Sequence, residues 1–309
     1  MVIGVLALVA GLALVVWGAE LFTDGAIHVA ARLAISTFFV GAAVSGFEPE
    51  NLASGAAAAV GGLPQIALGT VIGSTIFLLT AALGLALLVA PMAVRIPREG
   101  PVAMMLSVGL FALVLWNDGA VSRLEGALLV AAALGLMFWL YRRSPVFHVG
   151  AKAEGQAASG PKIAVLLVGS AVVIVAGAEL LVYGARTLLA VAGVSETFLG
   201  MVVVGMGESL EETARMTAPA RRGHPELAWG NVVGTTVVLL TFNLGVLAMI
   251  RPLIADPLVL QLHAPYLVAC TLLVAGALLV LPKLGRGAGA VLVLLFAGYL
   301  GLNLRHVWQ

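Results

Sequence analysis

Charge is the first thing missing. Only 10% of the 309 residues are Asp, Glu, Lys or Arg, where a soluble domain of this length keeps roughly 25% to stay solvated. The hydrophobic set supplies 61%, in runs that recur down the chain, many of them near the roughly 20 residues a bilayer crossing requires. Lys and Arg number 16 against 15 Asp and Glu, so no basic surplus points to nucleic acid. Cysteine is reduced to Cys270, which excludes an intrachain disulfide and a Cys-based metal site. It lies in an apolar run and reads as a small core residue. Long polar segments are missing too. The longest, Arg142 to Lys162, holds Ser144, Pro145, Gly150, Gly155, Ser159, Gly160 and Pro161. That is linker composition, and it leaves no soluble catalytic domain.

What is present is a series of apolar windows separated by breakers. They predict ten membrane spans, at about 2–30, 36–60, 65–90, 101–117, 121–141, 162–190, 195–220, 226–250, 257–282 and 287–305. No positive charge precedes the run Val2–Trp17, which therefore reads as the first span and not as a leader. Basic residues test the count. With the N-terminus outside, the inner connections carry Arg32, Arg95, Arg98, Arg142, Arg143, Lys152, Lys162, Arg221, Arg222, Lys283 and Arg286. The outer ones carry only Arg123, Arg186, Arg251 and Arg305, and Arg215 falls inside a span. A missed or extra span would scramble that asymmetry. The expectation is an inner-membrane protein with its N-terminus outside and its linker in the cytoplasm.

The chain also repeats itself. Gly18-Ala19-Glu20-Leu21 recurs as Gly177-Ala178-Glu179-Leu180, and Gly25, Gly41, Gly46 and Pro64 recur as Gly184, Gly200, Gly207 and Pro225. The run Ala67–Thr75 recurs as Ala228–Thr236, at an offset that has moved from 159 to 161. Each half holds five spans, an odd number, so the second enters from the opposite side. Inverted repeats of this kind mark transporters, with the substrate site near the midplane. The domains expected are a five-helix repeat over 1–143, a linker over 144–161 and an inverted five-helix repeat over 162–309.

Both repeat centres carry acid where lipid should forbid it. Spans two and seven contain Gly46-Phe47-Glu48-Pro49-Glu50-Asn51 and Gly207-Glu208-Ser209-Leu210-Glu211-Glu212. Each buried ionisable group costs about 2.5–3.5 kcal/mol on insertion scales, so these five represent on the order of 15 kcal/mol. That rivals a domain's net stability, and packing alone does not justify it twice at matched positions. Carboxylate, hydroxyl and carbonyl oxygens suit a hard cation such as Ca2+, Mg2+ or Na+. Glycine and proline here can open the helix and free carbonyls as ligands. Helical spacing lets Glu48 and Asn51, Glu208 and Glu211, and Glu208 and Glu212 share faces. On spans three and eight, Thr70, Ser74 and Thr75 and their counterparts Asn231, Thr235 and Thr236 offer neutral oxygens. The same residue types also serve close helix packing, and spacing does not decide between the two.

These blocks resemble the alpha repeats of the sodium/calcium exchanger superfamily of cation antiporters, G-A-D-x-L, G-T-S-x-P-E and G-N-x-x-G-S-N. The resemblance covers both halves and implies an all-α, ten-helix exchanger fold working by alternating access, with spans one and six sliding against a rigid core. It implies a cation site at Glu48, Glu50, Asn51, Ser74, Glu208, Ser209, Glu211, Glu212 and Thr235, with no cofactor. Glu212 matches the family's site glutamate; in the first half the downstream offset selects Asn51 and the local Pro-Glu match selects Glu50. The ligand expected one turn past Ser74 and Thr235 falls on Leu78 and Leu239, which cannot coordinate. Arg215 either neutralises a carboxylate or reaches for the surface. The implied function is exchange of a divalent cation, Ca2+ first, for H+ or Na+. The alternative is a cation-binding sensor or scaffold of the same fold that has lost transport. An enzyme is disfavoured, since no nucleophile with a base is apparent.

Overall fold

The computed structural model describes residues 2–33, 42, 48–93, 96–143, 160–193, 195–209, 212–221 and 225–306. The linker expected at 144–161 lies almost wholly outside them. Helix α1 spans Val2–Leu33, α2 Pro49–Gly61 and α3 Pro64–Val89. Helices α4 (Glu99–Asp118) and α5 (Arg123–Arg143) complete the first half. After the linker come α6 (Gly160–Ala192), α7 (Glu196–Gly207) and α8 (Glu212–Arg221). Helix α9 opens as Pro225–Val237, passes through a π-helical segment Val238–Asn243 and ends as Leu244–Ile250. Helices α10 (Val259–Val280) and α11 (Arg286–Asn303) close the chain. Among the described residues, seven helices are long and apolar enough to cross a membrane.

Apolarity does not separate inside from outside in such a chain, so burial does. Of the apolar windows of α3 and α9, 89% and 78% of residues are buried, against 22% for α5 and α11. Helices α3 and α9 are the centre; α5 and α11 turn residues such as Leu128, Phe138, Val291 and Leu294 outward.

Small residues set the close contacts. Helix α1 lies antiparallel along α6, with Gly4, Gly11 and Gly18 against Gly184, Gly177 and Ser170. Spacing of seven keeps them on one face. A Cβ on Gly177 would sit 2.8 Å from the Val15 nitrogen, and one on Gly184 2.7 Å from the Gly4 carbonyl. The two backbones therefore touch, as in close-packed membrane helix pairs.

In the centre, Gly73 on α3 lies against the backbone of Met201 on α7, and Gly234 on α9 lies against that of Ala42. The two contacts correspond at the offsets by which the sequence repeats. The short strands do likewise. Met92–Ala93 (β1) pairs with Lys283–Leu284 (β4), and Ala120–Val121 (β2) with Leu253–Ile254 (β3), both antiparallel. Each pair joins one strand from either side of the linker, and α4 separates β1 from β2, so the pairs sit at opposite ends of the bundle. The first turn of α3 is also held from the second half: the Glu196 carboxylate accepts from the Gln65 and Ile66 amides, at 2.7 and 3.4 Å.

The second and seventh spans are broken at their acidic motifs, where the sequence supplies residues able to open a helix. Pro49 stands at the first position of α2, where its missing N–H costs nothing. In the seventh span, α7 gives way to a turn at Ser209 and a new helix starts at Glu212.

Candidate cation site

Both acidic motifs sit where these helices start. Glu48 precedes Pro49, and Glu48, Glu50, Asn51 and Ser54 are all buried along α2. Glu212 is the first residue of α8, and it too is buried, as is Ser209 just before it. A helix N-terminus leaves amides unpaired and carries partial positive charge, which helps hold a carboxylate inside the protein.

Helix α9 brings the two acids together. Thr235 donates its hydroxyl to Glu48 Oε1 at 3.1 Å, and Asn231 donates Nδ2 to Glu212 Oε2. Thr235 and Asn231 are one turn apart on the same face, so Glu48 and Glu212 meet adjacent turns of one helix. Asn51 Nδ2 donates to Glu48 Oε2 at 3.0 Å. Ser74 donates to Asn51 Oδ1 at 2.6 Å and also lies 3.1 Å from the Gly205 carbonyl. It has one proton, and the shorter contact takes it. Asn243 Nδ2 donates to the Glu48 main-chain carbonyl at 3.3 Å.

Several neutral oxygens near these carboxylates are left over. Asn231 Oδ1, Asn243 Oδ1 and Ser54 Oγ are buried with no hydrogen-bond partner among the described residues. Leaving such a group unsatisfied costs about 1–3 kcal/mol, and a hard cation is the natural partner for inward-facing neutral oxygens beside carboxylates.

The hydroxyl stretches divide cleanly. Thr70, Thr75 and Thr236 bond carbonyls of their own helices, those of Ala67, Val71 and Val232. Of the hydroxyls in these stretches, Ser74 and Thr235 are the two that reach across. Leu78 and Leu239 are fully buried. Between the two first-half candidates, Asn51 joins the network through Glu48 and Ser74, while Glu50 is buried one residue earlier; Thr235 on α9 contacts Glu48. The side chains of Glu20, Asp24, His28, Glu208 and Arg215, together with Glu211 and His224, lie outside the described residues. Glu179, in the repeated Gly-Ala-Glu-Leu block, is exposed on α6. His263 is buried with Nδ1 2.8 Å from the Tyr299 hydroxyl, a packed histidine, and Cys270 is buried in α10. Ser54 and Asn243 were missed. A lone amide in the apolar run Val237–Ile250 was the available signal.

Buried helix starts, inward acids and glycine-lined contacts within a multi-pass bundle define the class: a secondary transporter of inorganic cations. The family profile described as sodium/calcium exchanger protein matches residues 3–142 and 162–305. The inner membrane protein YrbG of Escherichia coli is 32% identical over 303 residues, 92% of each chain. The sodium/calcium exchanger MaX1 of Methanosarcina acetivorans is 25% identical, over 96% of this chain and 97% of its own. A solved structure of the sodium-calcium exchanger NCX_Mj, soaked with Na+ and Sr2+, superposes with a TM-score of 0.70 at 25% identity, covering 97% of this chain and 98% of that one. The chain belongs to the sodium/calcium exchanger family. It is a multi-pass membrane cation antiporter and not an enzyme.

Proposed function

We propose that this protein exchanges a divalent cation, Ca2+ first, for H+ or Na+ by alternating access, at a site centred on Glu48 and Glu212. The observation that carries this reading is the convergence of those carboxylates, one from each side of the linker, on adjacent turns of α9. Beside them lie buried neutral oxygens with no hydrogen-bond partner among the described residues. Asn51, Ser74, Thr235 and Ser209 complete the neutral part of the site, and Glu50, Glu208 and Glu211 add acid to it. Oxygen donors of mixed charge in an irregular arrangement suit Ca2+ better than Mg2+, which demands a near-ideal octahedron and dehydrates reluctantly.

The halves 1–143 and 162–309 act as inverted repeats of five spans each, joined by the linker 144–161. The antiparallel α1–α6 pair and the exchanged β pairs support that arrangement. The glycine-faced α1–α6 pair slides against the core to open one side at a time. The protein sits in an inner membrane with its N-terminus outside. Buried Leu78 and Leu239, at positions where the family places ligands, favour a second reading: cation binding without transport.

Reconstituted vesicles separate the two. Ca2+ uptake driven by an outward Na+ or H+ gradient is expected, and Glu212→Gln should reduce it to the level of protein-free vesicles. Saturable binding with no gradient-coupled flux would establish the second reading, and undiminished flux in the Glu212→Gln variant would remove Glu212 from the site.

A further inference from the structure

We propose that Asn243 supplies a cation ligand from α9, one turn beyond the position where Leu239 leaves a gap. The proposal deepens the functional reading above and rests on it. A dehydrated Ca2+ collects six to eight oxygens, and two leucines remove two side chains that the family resemblance leads one to expect. Asn243 is fully buried. Its Nδ2 lies 3.3 Å from the Glu48 carbonyl, which places the amide beside the acid that Thr235 contacts. Its Oδ1 meets no donor among the described residues.

The π-helical segment explains how Asn243 reaches this face. In an unbroken α-helix, a residue eight positions after Thr235 is turned about 80° away from it. A π-bulge accommodates one additional residue within a turn. Here the Leu244 amide bonds the Leu239 carbonyl five residues back. Position 243 then falls where a seventh residue would, about 20° from Thr235. Asn231, Thr235 and Asn243 consequently line one stripe of α9. The first half has the matching π segment, Leu78–Ala82, but carries Ala82 where the second half carries Asn243. The bulge belongs to both halves, and the amide to one.

A neutral amide oxygen favours a cation that gives up its water readily, Ca2+ or Na+, over Mg2+. Calorimetric titration of the purified full-length protein with CaCl2, with NaCl as competitor, tests the assignment. Asn243→Ala should weaken Ca2+ binding at least tenfold. Asn243→Asp keeps an oxygen but loses the donor to the Glu48 carbonyl; it should bind Ca2+ at least as tightly as the parent and shift the preference from Na+ toward Ca2+. Equal weakening by both substitutions would make Asn243 a prop for Glu48 and overturn the proposal. Parental affinity in Asn243→Ala would overturn it too, with the wider site left standing if Glu212→Gln abolishes binding. Absence of Ca2+ binding by the parent, or its survival in Glu212→Gln, would sink the functional reading and this proposal together. Melting temperatures without cation, matched to the parent, exclude misfolded variants.

Discussion

Glu48 and Asn51 in the first half occupy the places that Ser209 and Glu212 hold in the second, at the 161-residue offset. The same two roles, one acid and one neutral group, have changed order over one helical turn. Glu48 accepts from Thr235 and Asn51, and a bound cation would add a full positive charge beside it. Glu48→Gln should therefore leave the cation-free protein melting within a few degrees of the parent, because a buried charge and one acceptor are lost together. The Ca2+-induced rise in melting temperature should vanish, since that rise depends on affinity through mass action. A double variant, Glu48→Ser with Asn51→Glu, restores the second half's order and should recover part of the shift; thermal melts with and without CaCl2 measure both. The sequence already pointed to these positions, because repetition marks them and lipid penalises acid. It did not disclose which hydroxyls look outward. A threonine in a helix can bond the carbonyl one turn back, as Thr75 and Thr236 do, and spacing does not encode that choice. Nor did it disclose Asn243, whose facing depends on a bulge that no local residue pattern announces.

At the scale of elements, glycine governs how closely helices approach and therefore what they can do. Gly73 is pressed on Met201 in the core, whereas Gly11 and Gly177 lie where α1 meets α6. Two substitutions should accordingly fail differently. Gly73→Ala puts a Cβ into the Met201 backbone, forces α3 from α7 beside Ser74, and should lower both melting temperature and Ca2+ affinity. Gly177→Val puts bulk 2.8 Å from the Val15 nitrogen, in the contact between α1 and α6. It should cut the exchange rate severalfold while calorimetric Ca2+ affinity stays close to the parent's. Gly169, where an added Cβ would meet nothing within 4 Å among the described residues, is the control: Gly169→Val should change neither. Loss of affinity in Gly177→Val would mean that the α1–α6 pair shapes the site and does not merely gate it. The helices themselves were legible as apolar windows. The restarts at Pro49 and Glu212 were legible only as residues able to break a helix, since breaking also requires neighbours that satisfy the freed backbone groups.

The whole molecule is joined across the linker at both ends, by the β1–β4 and β2–β3 pairs, and across its middle by α3 against α7. If the halves are inverted repeats, as proposed, something else must fix which end faces in. The basic residues would supply it: in the ten-span, N-outside reading eleven fall on inner connections and four on outer ones, with Arg215 within a span. Short cytoplasmic loops retain such excess because positive charge resists translocation. The prediction is that the linker faces the cytoplasm and the α4–α5 turn faces out. Cys270 is the chain's single cysteine and is buried, so Cys270→Ser gives a thiol-free background. Added to it, Ser122→Cys, at an exposed position beside β2, should react with a membrane-impermeant maleimide on intact cells. Gly150→Cys, within the linker, should react only after permeabilisation. The opposite pattern would invert the molecule and, with it, the side from which the cation enters first. Equal labelling of both positions on intact cells would mean dual insertion, in which case the charge asymmetry does not fix orientation and each bilayer face would present both halves of the repeat.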